Sequence, residues 1–175
     1  MEKTSEHLQT NSTVHMGASM TVIVWDGKSL TTDKQATQSN LMRTVTKSRI
    51  IRGHLCAVAG DWDLAQEMFV WFERGAKPDE VPPFFRSKED WVAFVAITPD
   101  KRVLKFERSP YPMDFTETVE NDGWFVFGSG RDFAVGALAM GASPEEAVRI
   151  ASKYCTTCGN GVDVLHLPKK RRAKK

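Results

Sequence analysis

The stretch MTVIVWDGKSLTTDKQAT, Met20 to Thr37, sets two short apolar-rich runs around AspGly at 26 and 27. AspGly supplies the positive φ values of a two-residue turn, so TVIVW and KSLTTD read as the two arms of a tight β-hairpin. The hairpin returns Asp33 toward Thr21, the residue that opens its first strand. Removing everything through Met20 would give Thr21 both a hydroxyl nucleophile and a free α-amine. An α-amine has an ordinary pKa of about 8, so near neutral pH it can take the proton from the neighbouring hydroxyl. A histidine base is then not required.

Working outward, the chain has 175 residues and 41% hydrophobic content, enough for one domain with a sizeable core. Its longest apolar runs, WVAFVAI (Trp91 to Ile97) and WFVF (Trp124 to Phe127), fall far short of the roughly 20 residues that span a bilayer. The first twenty residues are polar and lack the apolar centre of a secretory signal. A cytoplasmic protein with no membrane partner is expected. Net charge is +2, yet the final PKKRRAKK is strongly basic, so the body is mildly acidic. Such a tail could contact nucleic acid or serve as a nuclear address. Its ordinary reading is a solvated, disordered end, and no nucleic-acid partner is expected from it.

Residues 1–20 show no apolar periodicity and read as a leader, a propeptide or an upstream start; the folded domain is expected over 21–167 and the basic tail over 168–175. A second strand pair is expected around VTKSRII and HLCAVAG. A helix follows from about Asp61 to Arg74, with Leu64, Met68, Trp71 and Phe72 on one face and Gly75 placed to stop it. Pro78, Pro82 and Pro83 break the chain before SKED (Ser87 to Asp90), which could cap a short helix or lead into a strand. Strands are expected near Trp91–Thr98 and Arg102–Glu107, joined by a TPDK turn, and again at Trp124–Phe127. GSGRDFAVGALAMGA reads as a glycine-rich turn opening a helix. SPEEAVRIASKYC opens a second, with Ser143 as N-cap, Pro144 at the first helical position and Glu146 completing a capping box. A last strand is expected at Val162–Leu167. Strands, helix, strands, two helices, strand is the order of a layered α+β protein, and a four-layer αββα sandwich of antiparallel sheets fits it.

These segments resemble the proteasome β-subunits among the N-terminal nucleophile hydrolases, nearest in flavour to the bacterial HslV peptidase and short phage-type relatives. The resemblance is carried by TTDKQAT, by RGHLCAVAGDWDLAQEMFVWFE and by FVFGSGRDFAVGALAMGASPEEAVRIA, in that order, over nearly all of Thr21 to Leu167. It implies a threonine-type endopeptidase in which Thr21 attacks the peptide carbonyl. It also implies that Asp33 holds Lys47, whose ammonium disfavours protonation of the amine. Gly60 would offer its N–H to the oxyanion, and Ser129 would complete the hydrogen bonding around the amine. Val58 and Arg49 are candidates for the substrate pocket. Taken singly, each residue has an ordinary reading: a β-forming threonine, a turn aspartate, a solvated lysine, loop and cap residues. Their combined order is what points to catalysis.

The sequence departs from the family pattern in three places. The hairpin is four residues shorter, which preserves the period-2 facing of its side chains. The family's Asp and Ser near the last helix fall on Cys155 and Cys158. Met20 stands where self-cleaving precursors have Gly, and Met followed by Thr is instead the pattern of a removed initiator methionine, which favours start-site choice over self-cleavage.

CTTC, Cys155 to Cys158, has a zinc or redox spacing, with Cys56, His54 and His166 as candidate further ligands. A structural zinc site shows a second paired set, which is lacking, so reduced cysteines and neither metal nor cofactor are expected. The resemblance further implies a homo-oligomeric ring acting on peptides or unfolded protein, with an AAA+ unfoldase as a partner and Trp62 and Phe69 as candidate ring contacts. The alternative from another class is a non-catalytic, proteasome-like structural or interaction subunit.

Overall fold

Alternate residues of the central strands face different apolar layers. The computed structural model describes residues 21–38, 41–82, 91–108, 114–118 and 123–168. The expected leader, the SKED stretch and the basic residues after Pro168 lie outside the described residues. One sheet holds β1 (Ile23–Trp25), β2 (Ser29–Asp33), β10 (Phe125–Phe127) and β11 (Val162–His166) in the order β10-β1-β2-β11. A second holds β5 (Ser48–Ile51), β6 (His54–Gly60), β7 (Val92–Ile97), β8 (Val103–Arg108) and β9 (Asp114–Thr118) in chain order. All their pairings are antiparallel.

The strand pleat sorts side chains by parity. From β6 and β7, Leu55, Ala57, Ala59, Ala93, Val95 and Ile97 meet Ile23, Trp25 and Leu30 of the other sheet. The alternate residues Cys56, Val58, Val92, Phe94 and Ala96 pack instead under α1 (Trp62–Glu73). Val22, Val24 and Val126 face α2 (Arg131–Ala139) and α3 (Pro144–Tyr154). Three apolar layers thus separate helix, sheet, sheet and helix, the expected αββα sandwich. Being buried on both faces explains why β7 is an unbroken apolar run rather than an alternating one.

Local signals set the helix ends. Asp61 caps α1 by accepting from Leu64 N at 3.0 Å, and Gly75, at φ +117°, follows its last turn. Ser143 and Glu146 form the full capping box of α3. Two expectations change. Asp26, Gly27 and Lys28 join β1 to β2, one residue more than a two-residue turn. The Asp26 carboxylate is the reason: it accepts from Lys28 N at 2.9 Å and Ser29 N at 2.7 Å, closing a wider loop. A hairpin of β3 (Gln35–Gln38) and β4 (Leu41–Thr44), together with β9, appears where the sequence carried no strand signal. Among the described residues no helix is long and apolar enough to cross a membrane.

Candidate active site around Thr21

Thr21 lies two residues before β1, and the β1–β10 register, Ile23 opposite Phe127, carries it alongside the turn that follows β10. Gly130 N donates to the Thr21 carbonyl at 3.2 Å, and Thr21 N donates to Ser129 Oγ at 3.3 Å. The approach is so close that a Cβ on Gly128, which sits at φ +101°, would collide with that carbonyl. Thr21 is fully buried, and among the described residues its Oγ1 has no hydrogen-bond partner. Thr31 Oγ1 and Ser152 Oγ share that condition, so it does not by itself set Thr21 apart.

The far end of the hairpin comes back beside it. Asp33 Oδ1 accepts from Val22 N at 3.0 Å, and Asp33 N donates to Val22 O at 3.3 Å, so the shortened arms still meet. The same carboxylate takes Lys47 Nζ at 3.0 and 3.1 Å, Gln35 N at 3.1 Å and Gly159 N at 3.0 Å. Asp33 and Lys47 are both buried, and burial pulls the Lys47 ammonium below its ordinary value although the Asp33 charge opposes this.

Gly60 ends β6 at φ +105°, where a Cβ would strike the Trp91 carbonyl. Val58 N donates to Lys47 O at 3.1 Å, tying that strand to the lysine. The Val58 side chain itself lies in the core beneath α1. Arg49 also belongs to the α1 side: its Nη2 donates to Gln66 at 2.6 Å and its guanidinium covers the Phe69 ring at 4.4 Å. Phe69 is only 1% exposed, which removes it as a ring contact; Trp62 is partly buried against the same core. Thr21, Asp33, Lys47 and Ser129 therefore share one hydrogen-bonded neighbourhood, with Gly60 at the end of an adjoining strand.

The sequence did not single out Thr157 or Gly159. Thr157 Oγ1 lies 2.7 Å from Ser129 Oγ, and Gly159 N reaches Asp33 across 126 residues of chain. Cys158 Sγ and Cys155 Sγ stand 3.6 and 3.8 Å from the same Ser129 oxygen. Only the CTTC spacing hinted at this turn. Among the described residues no group of three or more His, Cys, Asp or Glu is placed to hold a metal ion.

Two antiparallel sheets between helix layers make this a proteasome-like α+β fold. No family model matches the chain, and no curated protein does. Solved structures do. BPH from Thiobacillus denitrificans, solved in complex with epoxomicin, is similar at 14% identity and a TM-score of 0.54, over 85% of this chain and 98% of that one. Anbu, described as an ancestral beta-subunit, from Yersinia bercovieri is similar at 11% identity and a TM-score of 0.57, over 85% and 82%. The Anbu complex from Pseudomonas aeruginosa, solved as a helical assembly, gives 9% identity and a TM-score of 0.57 over 83% and 80%. These neighbours correct the expected kinship: they are Anbu and BPH, proteasome-like but distinct, rather than proteasome β-subunits proper or HslV. At such identities the likeness establishes the fold, which motif order follows more faithfully than family membership.

Proposed function

We propose that this chain is an N-terminal threonine peptidase, active once residues 1–20 are removed. While the Met20–Thr21 bond is intact, Thr21 has no free amine and no base. With the amine free, it takes the Thr21 hydroxyl proton as Oγ1 attacks the peptide carbonyl carbon, and later passes that proton to the leaving amine. Water then hydrolyses the threonyl ester. Lys47 keeps positive charge near the nucleophile, which disfavours the protonated amine; Asp33 holds Lys47, and Ser129 orients the amine. The Gly60 N–H is assigned to the oxyanion, a contact whose loss in other hydrolases costs about 3 kcal/mol. Val58, buried under α1, and Arg49, held on Gln66 and Phe69, are left out of the substrate pocket.

The observation that carries this reading is the buried Asp33–Lys47 pair, whose carboxylate also takes the N–H of the residue next to Thr21. Peptides or unfolded proteins are the substrate class. Assembly into a homo-oligomeric ring, fed by an AAA+ unfoldase, is part of the proposal. The exposed apolar side chains Phe133, Met140, Ile150 and Tyr154 on the α2/α3 layer support self-association. The test is covalent labelling at Thr21 by a peptide epoxyketone, which needs both the hydroxyl and the free amine. Labelling lost in Thr21→Ala supports the peptidase; no labelling of a confirmed Thr21 terminus supports the non-catalytic subunit instead.

A further inference from the structure

The turn that closes α3 carries two thiols to Ser129, and peptide hydrolysis uses neither. Cys155 is the C-cap of α3, and Cys158 N donates back to Cys155 O at 3.2 Å. A turn closed in this way holds its end Cα atoms within about 7 Å, overlapping the ~4.4–6.8 Å that a disulfide requires. Both thiols meet at the Ser129 hydroxyl, at 3.8 Å from Cys155 Sγ and 3.6 Å from Cys158 Sγ. Their surroundings differ. Cys155 is partly exposed, with Thr157 Oγ1 at 3.2 Å, whereas Cys158 is 3% exposed in the core under α2 and α3.

We propose that Cys155 and Cys158 are a modification site for hydroperoxides, a thiol pair whose disulfide withdraws both sulfurs from Ser129. The Cys155 thiolate attacks the terminal OH oxygen of the peroxide, the O–O bond breaks, and hydroxide (from hydrogen peroxide) or alkoxide (from an organic hydroperoxide) leaves with the electron pair. The product is a sulfenic acid. Cys158 then gives up its proton and attacks that sulfur, the S–O bond breaks, and water leaves. Two thiols are oxidised and one hydroperoxide is reduced. Acidity divides the roles in the same direction. At Cys155, burial pushes the thiol up, but hydrogen bonding with Thr157, then Ser129, outweighs it and holds it below its ordinary value. Burial, then the Asp33 charge, pushes Cys158 up to about 12.

The same turn touches both halves of the site. Gln35 Nε2 donates to Thr156 O at 3.1 Å, and Gly159 N to Asp33. Closing the disulfide therefore alters Ser129 and strains the Asp33 anchor together. This effect on Thr21 rests on the peptidase reading; the disulfide does not.

The full chain, treated with limiting hydrogen peroxide, alkylated and mapped by mass spectrometry, tests the pair. One intramolecular Cys155–Cys158 disulfide, reversed by dithiothreitol, with Cys56 still alkylated, is expected. Oxidation of Cys155 no faster than Cys56, or its passage to sulfinic acid without a disulfide, overturns the proposal. Because Cys158→Ser alters a buried position, Cys155→Ser is examined beside it: loss of peroxide consumption is expected, and unchanged consumption overturns. In chain beginning at Thr21, oxidation should slow epoxyketone labelling by at least about tenfold, a barrier change near 1.4 kcal/mol. Equal labelling of both forms overturns the coupling. A disulfide that forms in protein whose Thr21 is never labelled supports the thiol pair and removes the peptidase.

Discussion

Five hydrogen bonds converge on the Asp33 carboxylate: two from the Lys47 ammonium and three from the backbone N–H groups of Val22, Gln35 and Gly159. Asp33→Ala strands a buried ammonium, which destabilises by about 3–5 kcal/mol. Denaturant unfolding checks this, and a loss below ~1 kcal/mol would place the pair among solvent-screened ones. Asp33 and Lys47 were readable only as members of an ordered set, because neither residue type is unusual in its own stretch. Thr157 was not readable at all. It meets Ser129 through the packing of α3 against the β10 turn, a contact no local spacing encodes.

Elements whose signals are local were legible: the α1 helix ahead of its Gly75 stop, the α3 capping box and the apolar run of β7. Those whose stability comes from pairing were not. β4 is exposed at every position and has no apolar period, so nothing in LMRT announces a strand. Glycines within reach of α2 separate the two kinds of constraint. Gly128→Ala meets both a positive φ and the Thr21 carbonyl, and should cost well over ~1 kcal/mol. Gly136→Ala, inside α2 with open space around the new Cβ, should stabilise by about 0.5–1 kcal/mol. Paired thermal unfolding checks both, and equal shifts would refute the close approach at Thr21.

At the scale of the molecule, three apolar layers follow from strand parity, which is why an αββα sandwich was legible from the order of elements. Kinship was less so, because the shared segments mark the fold and the neighbours proved to be Anbu and BPH. The α2/α3 layer leaves Met140 at 88% and Tyr154 at 60% exposure, apolar surface for which self-association is the proposed use. Sedimentation velocity should find a multi-subunit species, shifted toward monomer by Met140→Glu; a monomer at all concentrations would refute the assembly.

The central claim is that Thr21 becomes nucleophile and base together when its amine is freed. Intact mass and peptide mapping of the chain beginning at Thr21, after exposure to a peptide epoxyketone, test it most directly. One adduct on Thr21, absent from Thr21→Ala and from protein retaining residues 1–20, is predicted. An unmodified Thr21 whose terminus is confirmed free would contradict it.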